Sequence, residues 1–217
     1  MKILNLYCGI GGNRRLWGDE HEVTSVEFNP EIAAIYKELY PQDELIIGDA
    51  NKYLEENYKG FDFIWSSPPC QSHSRYRHSI GVIAKGFSPI LPDMSLYSQI
   101  VFLKTYFKGL WAVENVVPYY KYLIEPTHKI QRHPFWTNFK MDENLKLPKD
   151  NIGSANKISE MEAIHGIKVS HYKLKNKRQV LRNCVNKDLG KHILMSAIDF
   201  LKDENSGIEI NSTSRTI

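Results

Sequence analysis

Lys2-Ile3-Leu4-Asn5-Leu6-Tyr7 runs without a break into Cys8-Gly9-Ile10-Gly11-Gly12, an apolar strand emptying into a glycine-rich turn. Glycines at such a turn let backbone approach a nucleotide-like ligand, a reading that a plain tight turn shares. The neighbouring segments raise the value of the first. Val23-Thr24-Ser25-Val26 reads as a second strand ending at Glu27, before a helix opened by Pro30, and Leu45-Ile46-Ile47 as a third ending at Gly48-Asp49. Strand and helix alternate in this way to about Phe139, which predicts a doubly wound α/β sheet with helices on both faces. In such a sheet an acid at the tip of the second strand holds a ribose hydroxyl pair. Asp49, one strand over, is placed to accept a hydrogen bond from an adenine amino group. For both acids the alternative is an N-terminal helix cap.

A helix is expected over 30–40 with Ile32, Ile35 and Leu39 inward. A second is expected over 95–107, with Ser95 as N-cap and Leu96, Ile100, Leu103 and Phe107 on one face. The segment 72–94 has no sustained period and reads as a long loop, a length typical of lids and binding elements. After Phe139 the chain stays polar until a helix at Ile158. A last helix is expected over 188–201, and 203–217 as a disordered tail. Residues 1–202 thus read as one domain.

Pro68-Pro69-Cys70-Gln71 follows the apolar run Phe61-Asp62-Phe63-Ile64-Trp65. The thiolate is the reactive form of cysteine, and the two prolines fix the backbone that aims it. A second run, Leu110-Trp111-Ala112-Val113, ends in Glu114-Asn115-Val116. If the two strands are parallel neighbours, thiol and carboxylate emerge at the edge where open α/β sheets bind ligands. The alternative for Glu114 is a helix cap or an arginine partner. Cys8 and Cys184 read as small buried hydrophobes.

These residues, in this order, resemble the cytosine-C5 DNA methyltransferase family, which uses S-adenosylmethionine to make 5-methylcytosine. Tyr7-Cys8-Gly9-Ile10-Gly11-Gly12 is similar to its first motif, with tyrosine where the family usually has phenylalanine. Pro69-Cys70-Gln71 is similar to its nucleophile motif and Glu114-Asn115-Val116 to its Glu-Asn-Val. Ile158-Ser159-Glu160-Met161-Glu162-Ala163 and Arg178-Gln179-Val180-Leu181-Arg182-Asn183-Cys184-Val185 resemble its last two motifs. The resemblance implies a Rossmann-like methyltransferase fold, with residues 1–202 a single catalytic domain that has a reduced second lobe at about 140–180, and with S-adenosylmethionine as cofactor and DNA, or RNA within the same chemistry, as partner. It implies catalytic roles for Cys70, Glu114, Asn115 and Arg132. Cofactor contacts are implied from Tyr7, Gly9, Ile10, Gly11, Gly12, Glu27, Phe28, Asp49, Ala50, Pro69 and Asn183. The implied reaction adds the thiol to C6 of cytosine so that C5 becomes nucleophilic enough to take the methyl group.

The chain also departs from that pattern. Arg182 stands where the last motif has glycine, Met161 where the preceding motif has arginine, and the Gln-x-Arg-x-Arg motif is reduced to Gln131-Arg132-His133. Only 18 residues, 140 to 157, occupy the place of a large target-recognition region. A separate recognition subunit is therefore a further implied partner. Two rival classes remain open: an exocyclic-amino methyltransferase, suggested by Ser67-Pro68-Pro69, and a non-catalytic nucleic-acid-binding subunit.

Composition fits a nucleic-acid enzyme. Residues 1–64 carry 6 Lys/Arg against 12 Asp/Glu, and the remainder 22 against 13. The basic excess includes Arg75, Arg77 and Lys85 in the loop after Cys70, which with Gln71 are the expected nucleic-acid contacts; such side chains neutralise phosphates and release counterions. Three cysteines argue for a reducing compartment rather than a disulfide framework. With no run of 18 apolar residues and no leader before the first strand, the expectation is a soluble cytoplasmic protein. The pairs His73/His78 and His128/His133 lack partners at metal-ligand spacing, and no metal is expected.

Overall fold

In the computed structural model, residues 1–145 and 157–212 are described, with side chains described to residue 203. Seven strands form one sheet: β1 (Lys2–Leu6), β2 (Glu22–Glu27), β3 (Glu44–Ile47), β4 (Phe63–Ser66), β5 (Leu110–Glu114), β6 (His128–Ile130) and β7 (His133–Thr137). Their order is β3-β2-β1-β4-β5-β7-β6. The first five are parallel, whereas β7 runs antiparallel to β5 and to β6. The alternating parallel pattern expected up to Phe139 therefore ends at β5. The closing hairpin is hard to read because Pro134 and two histidines interrupt its apolar run.

Strand alternation sorts the apolar residues onto two faces. Ile3, Phe63, Trp65, Ala112 and Phe135 pack with Leu189, Ile193 and Ala197 of helix α6 (Lys187–Ser212). Leu4, Leu6, Ile64, Trp111 and Val113 pack on the other face with Leu54 of α2 (Ala50–Asn57) and Ile100 and Leu103 of α3 (Ser95–Tyr106). Helices on both faces make the sheet doubly wound, as expected. The order in which the parallel strands are laid down reverses between β1 and β4, which opens a crevice at their carboxyl ends.

α1 (Pro30–Leu39) begins with Asn29 as its cap, the side chain accepting from Glu31 N and Ile32 N. Its buried residues are Ala33, Ile35 and Tyr36, while Ile32 and Leu39 are only partly covered. Ser95 is not a cap: it is the first residue of α3, and Asp93 Oδ1 accepts its amide. The expected loop 72–94 contains a π-helical segment, Arg77–Ala84. α4 (Ile158–His165) forms where expected, and α5 (Lys177–Arg182) adds a short helix. α6 continues past Leu201 to Ser212, into the stretch expected to be a tail, and residues 213–217 lie outside the described residues. So does part of the expected second-lobe remnant, residues 146–156. Among the described residues, no helix is long and apolar enough to cross a membrane.

Candidate active site

The crevice holds a cavity of about 970 Å³. One wall comes from the turns after β1, β2 and β3: Tyr7, Gly9, Ile10 and Gly12, then Glu27 and Phe28, then Asp49 and Ala50. The other comes from Pro69, Cys70 and Gln71 after β4, Glu114 at the end of β5, and Arg132 and His133 entering β7. Gln179, Arg182 and Asn183 of the α5 region line it as well.

The glycine turn is shaped by backbone. Gly9 has φ of +55°, and a Cβ there would meet nothing within 4 Å, so the turn leaves open space facing the cavity. Gly11 does not line the cavity; a Cβ on it would collide with Tyr40 at 2.3 Å, and its carbonyl accepts the Tyr40 hydroxyl. Gly12 lies where a Cβ would strike Cys184 Sγ and the Val185 carbonyl, which brings the segment after α5 against the turn. Tyr7 also adopts positive φ. Its hydroxyl, where the family has a bare phenylalanine ring, donates to Asn51 and accepts from Gln99.

Glu27 ties two turns together: Oε2 accepts from Gly9 N at 3.0 Å and Oε1 from Asn29 N at 2.8 Å. Asp49 is a cap of α2, its Oδ1 accepting from Asn51 N and Lys52 N. Each carboxylate still has lone pairs free for a ligand. Phe28 exposes 76% of its surface at the cavity rim.

β4 and β5 are parallel neighbours, paired Ser66 to Val113, so Cys70 and Glu114 do emerge at one edge. Asn115 does not line the cavity. It is 1% exposed; its Nδ2 donates to Pro68 O at 2.9 Å and its Oδ1 accepts from Val116 N, which pins the loop carrying Cys70. Burial, and then the Glu114 carboxylate, push the Cys70 thiol up to about 11, against smaller opposing pulls from its own backbone and from Arg132. In the free protein the thiol is therefore protonated near neutrality.

Gln71 lines the cavity and reaches Asn183 at 3.5 Å, but Arg75, Arg77 and Lys85 do not line it. Arg75 Nε donates to Pro118 O, and Arg77 Nη2 to Ser88 O, so both arginines brace the loop while other guanidinium N–H groups remain available. His73, fully buried, sits at 2.5 Å from the Tyr120 hydroxyl. Lys85 is exposed.

Two cavity residues escaped the sequence reading. His133 Nδ1 lies 2.7 Å from Glu114 Oε1, with the residues 8% and 7% exposed. Arg132, matched to the arginine that supports the cytosine carbonyl, lines the same cavity, and the register of the hairpin places its neighbour His133 against Glu114. The signal was the shortened Gln131-Arg132-His133 run. Arg182, where the family has glycine, has a buried Nε with no hydrogen-bond partner. Among the described residues, no group of three or more His, Cys, Asp or Glu is placed to hold a metal.

An open glycine cradle, an orphaned guanidinium nitrogen and a cavity within the usual range for cofactor sites suit S-adenosylmethionine. The fold is that of the S-adenosylmethionine-dependent methyltransferases: a methyltransferase from Entamoeba histolytica superposes with a TM-score of 0.57 at 14% identity, over 93% of this chain and 98% of that one. Residues 1–88 match the C-5 cytosine-specific DNA methylase family. A tRNA (cytosine(38)-C(5))-methyltransferase from Spodoptera frugiperda is 34% identical over 80 residues, 34% of this chain. The chain spans only 24% of that enzyme's length.

Proposed function

We propose that this protein transfers a methyl group from S-adenosylmethionine to C5 of cytosine in a nucleic acid, through a covalent bond between Cys70 Sγ and ring C6. Its favoured substrate is an unpaired cytosine in RNA. The observation that carries the reading is the convergence of Cys70 and Glu114 with the Gly9 and Glu27 side of the crevice in one cavity.

When bound, the cofactor supplies an electrophilic methyl group. The chain's residues do the rest. Glu27 accepts from the ribose and Asp49 from the adenine amino group, over the glycine turn. Asn115 holds the Cys70 loop by its bond to Pro68 O. Cys70 adds to C6 as thiolate, and Glu114 passes a proton to ring N3, which withdraws the charge that the addition creates. After transfer, C5 loses its proton and the C6–S bond breaks. A raised thiol pKa makes the thiolate scarce but also a stronger nucleophile once formed. The target must be unpaired or flipped out, since its edge is unreachable within a duplex.

Two observations favour RNA. The curated relative is a tRNA methyltransferase. Residues 140 to 157 are too few to build the region with which a DNA enzyme reads a site, whereas an RNA loop presents its bases already unstacked. DNA remains the second reading because the matched family is described as a DNA methylase. Incubation with labelled cofactor and folded tRNA, single-stranded DNA and double-stranded DNA, followed by mapping of 5-methylcytosine, tests both. Methylation confined to RNA loops is expected; methylation of duplex DNA alone overturns the RNA reading. Label on an exocyclic amine, or in none of the pools, overturns the reaction itself.

A further inference from the structure

We propose that His133 is the positioning residue that supplies and recovers the proton used by Glu114, so that the imidazole, and not an arginine, sets the pH dependence of attack. The inference rests on the reaction proposed above and deepens it at one site.

The argument starts from the bond. Glu114 Oε1 and His133 Nδ1 are 2.7 Å apart inside the protein, and both side chains line the cavity that holds Cys70. A carboxylate only accepts, so Nδ1 carries the hydrogen. β5 and β7 fix this contact by their pairing, Glu114 opposite Phe135, two residues from His133. Oε1 is committed to the imidazole, which leaves Oε2 as the oxygen that can address a substrate. Arginine in this place would be a permanent cation able to orient the carboxylate but never to release a proton. Histidine can do both.

The proton balance closes. As Cys70 sulfur bonds to C6, the imidazolium gives its Nδ1 proton to the Glu114 carboxylate, which passes it to N3, so that the pair is left as carboxylate and neutral imidazole. When the C6–S bond later breaks, the N3 proton returns by the same route. The charged and titratable groups around the pair are Cys70 from the loop after β4 and Arg132 from the β6–β7 turn, with Glu27, Asp93 and Arg182 further along the cavity wall.

With active enzyme requiring the Cys70 thiolate and the His133 imidazolium, the sign follows. Below the His133 midpoint the rate rises tenfold per pH unit, because the thiolate fraction grows while the imidazolium is complete. Above that midpoint, and below that of Cys70, gain and loss cancel and the profile is flat.

The test is the single-turnover pH profile of wild type, His133→Arg and His133→Asn with saturating cofactor and a methylatable RNA, beside an NMR titration of the His133 ring in free wild type and in Glu114→Gln. The expected break in the wild-type profile coincides with the NMR midpoint. In His133→Arg, which keeps the charge but cannot supply the proton, the rate falls and the break is gone. His133→Asn is slower by 10- to 100-fold at low pH, also without a break. Removing the carboxylate in Glu114→Gln should lower the His133 midpoint. A break that persists in His133→Arg, or that lies away from the NMR midpoint, overturns the proposal. If wild type methylates no cytosine, the failure belongs to the reaction; an NMR midpoint indifferent to Glu114→Gln defeats the coupled pair regardless of activity.

Discussion

The two walls of the crevice are built by different means. On the β1–β2–β3 side the shape comes from backbone, and the acidic side chains sit toward solvent: Glu27 is partly covered, Asp49 exposed, and both fasten turns of the fold. On the β4–β5–β7 side the working groups are buried side chains, with Glu114, Asn115 and His133 all under 9% exposed and bonded to one another or to the Cys70 loop. A ligand on the first side meets a surface with spare acceptors, and losing one weakens binding by the worth of one bond. On the second side a single change strands a buried partner, which costs more than the bond is worth. Substitutions should therefore divide by wall, affecting affinity on one and turnover on the other.

The largest effect is expected at Cys70. Cys70→Ala should reduce single-turnover methylation by on the order of 10⁴ or more, as for other nucleophiles acting within a catalytic unit, with cofactor affinity nearly unchanged in calorimetry. Wild type should form a denaturation-resistant adduct with RNA bearing 5-fluorocytosine, because fluorine cannot leave C5 as a proton does, and the variant should not. The thiol adds a check on environment. With its thiol pushed up to about 11, alkylation by iodoacetamide in the free protein should climb steadily through pH 9 and level off only above 11. Glu114→Gln removes the second cause of that elevation and should bring the midpoint down. A Cys70 that alkylates with a midpoint at or below 9 would break the contrast between the walls, since it would make the thiol an exposed group like Asp49.

The same division explains what could be read from the sequence. The parallel strands were legible because each is a short apolar run ending in a chemically distinctive residue, and the first five pair as that pattern requires. Cys70 and Glu114 were legible from their own neighbours, Pro68-Pro69 and Asn115-Val116. His133 was not, because its role depends on the register of an antiparallel pair whose strand holds Pro134 and whose turn holds Gln131 at φ of +53°, geometry that no local periodicity announces. Asn115 and Gly11 were expected in the site, and neither lines the cavity: Asn115 bonds Pro68 O and Gly11 O accepts the Tyr40 hydroxyl behind its wall. The helical turn within 77–84 was hidden because a π-helical segment matches neither the period of an α-helix nor that of a strand.

A middle-sized effect is expected at Glu27. Replacing it with Gln leaves one acceptor oxygen for two backbone amides and the ribose, so a charge-assisted bond to the cofactor is lost. That should weaken S-adenosylmethionine binding by about 1.5–3 kcal/mol, roughly 10- to 150-fold, while single turnover at saturating cofactor stays within about threefold of wild type. Unchanged affinity would remove the ribose from Glu27. A collapse in turnover at saturation would show that the first wall positions the reaction as well as the ligand, and would erase the comparison.

The smallest effect, and the sharpest discriminator, is at Asp49. Its Oδ1 caps α2 through Asn51 N and Lys52 N, and Oδ2 is the oxygen left to face an adenine amino group. Asp49→Ala removes both functions and should cost about 1 kcal/mol of stability as a lost cap. Asp49→Asn separates them: the amide has one oxygen, which the helix amides claim, so the group turned to the adenine becomes a donor facing a donor. Stability should hold within a few tenths of a kcal/mol, as asparagine caps nearly as well as aspartate. Cofactor affinity should fall by about 0.5–1.5 kcal/mol, roughly two- to twelvefold, for one exposed hydrogen bond. Calorimetry showing full affinity in Asp49→Asn would make Asp49 a helix cap alone, and leave adenine recognition to the apolar rim at Phe28 and to the backbone after β3.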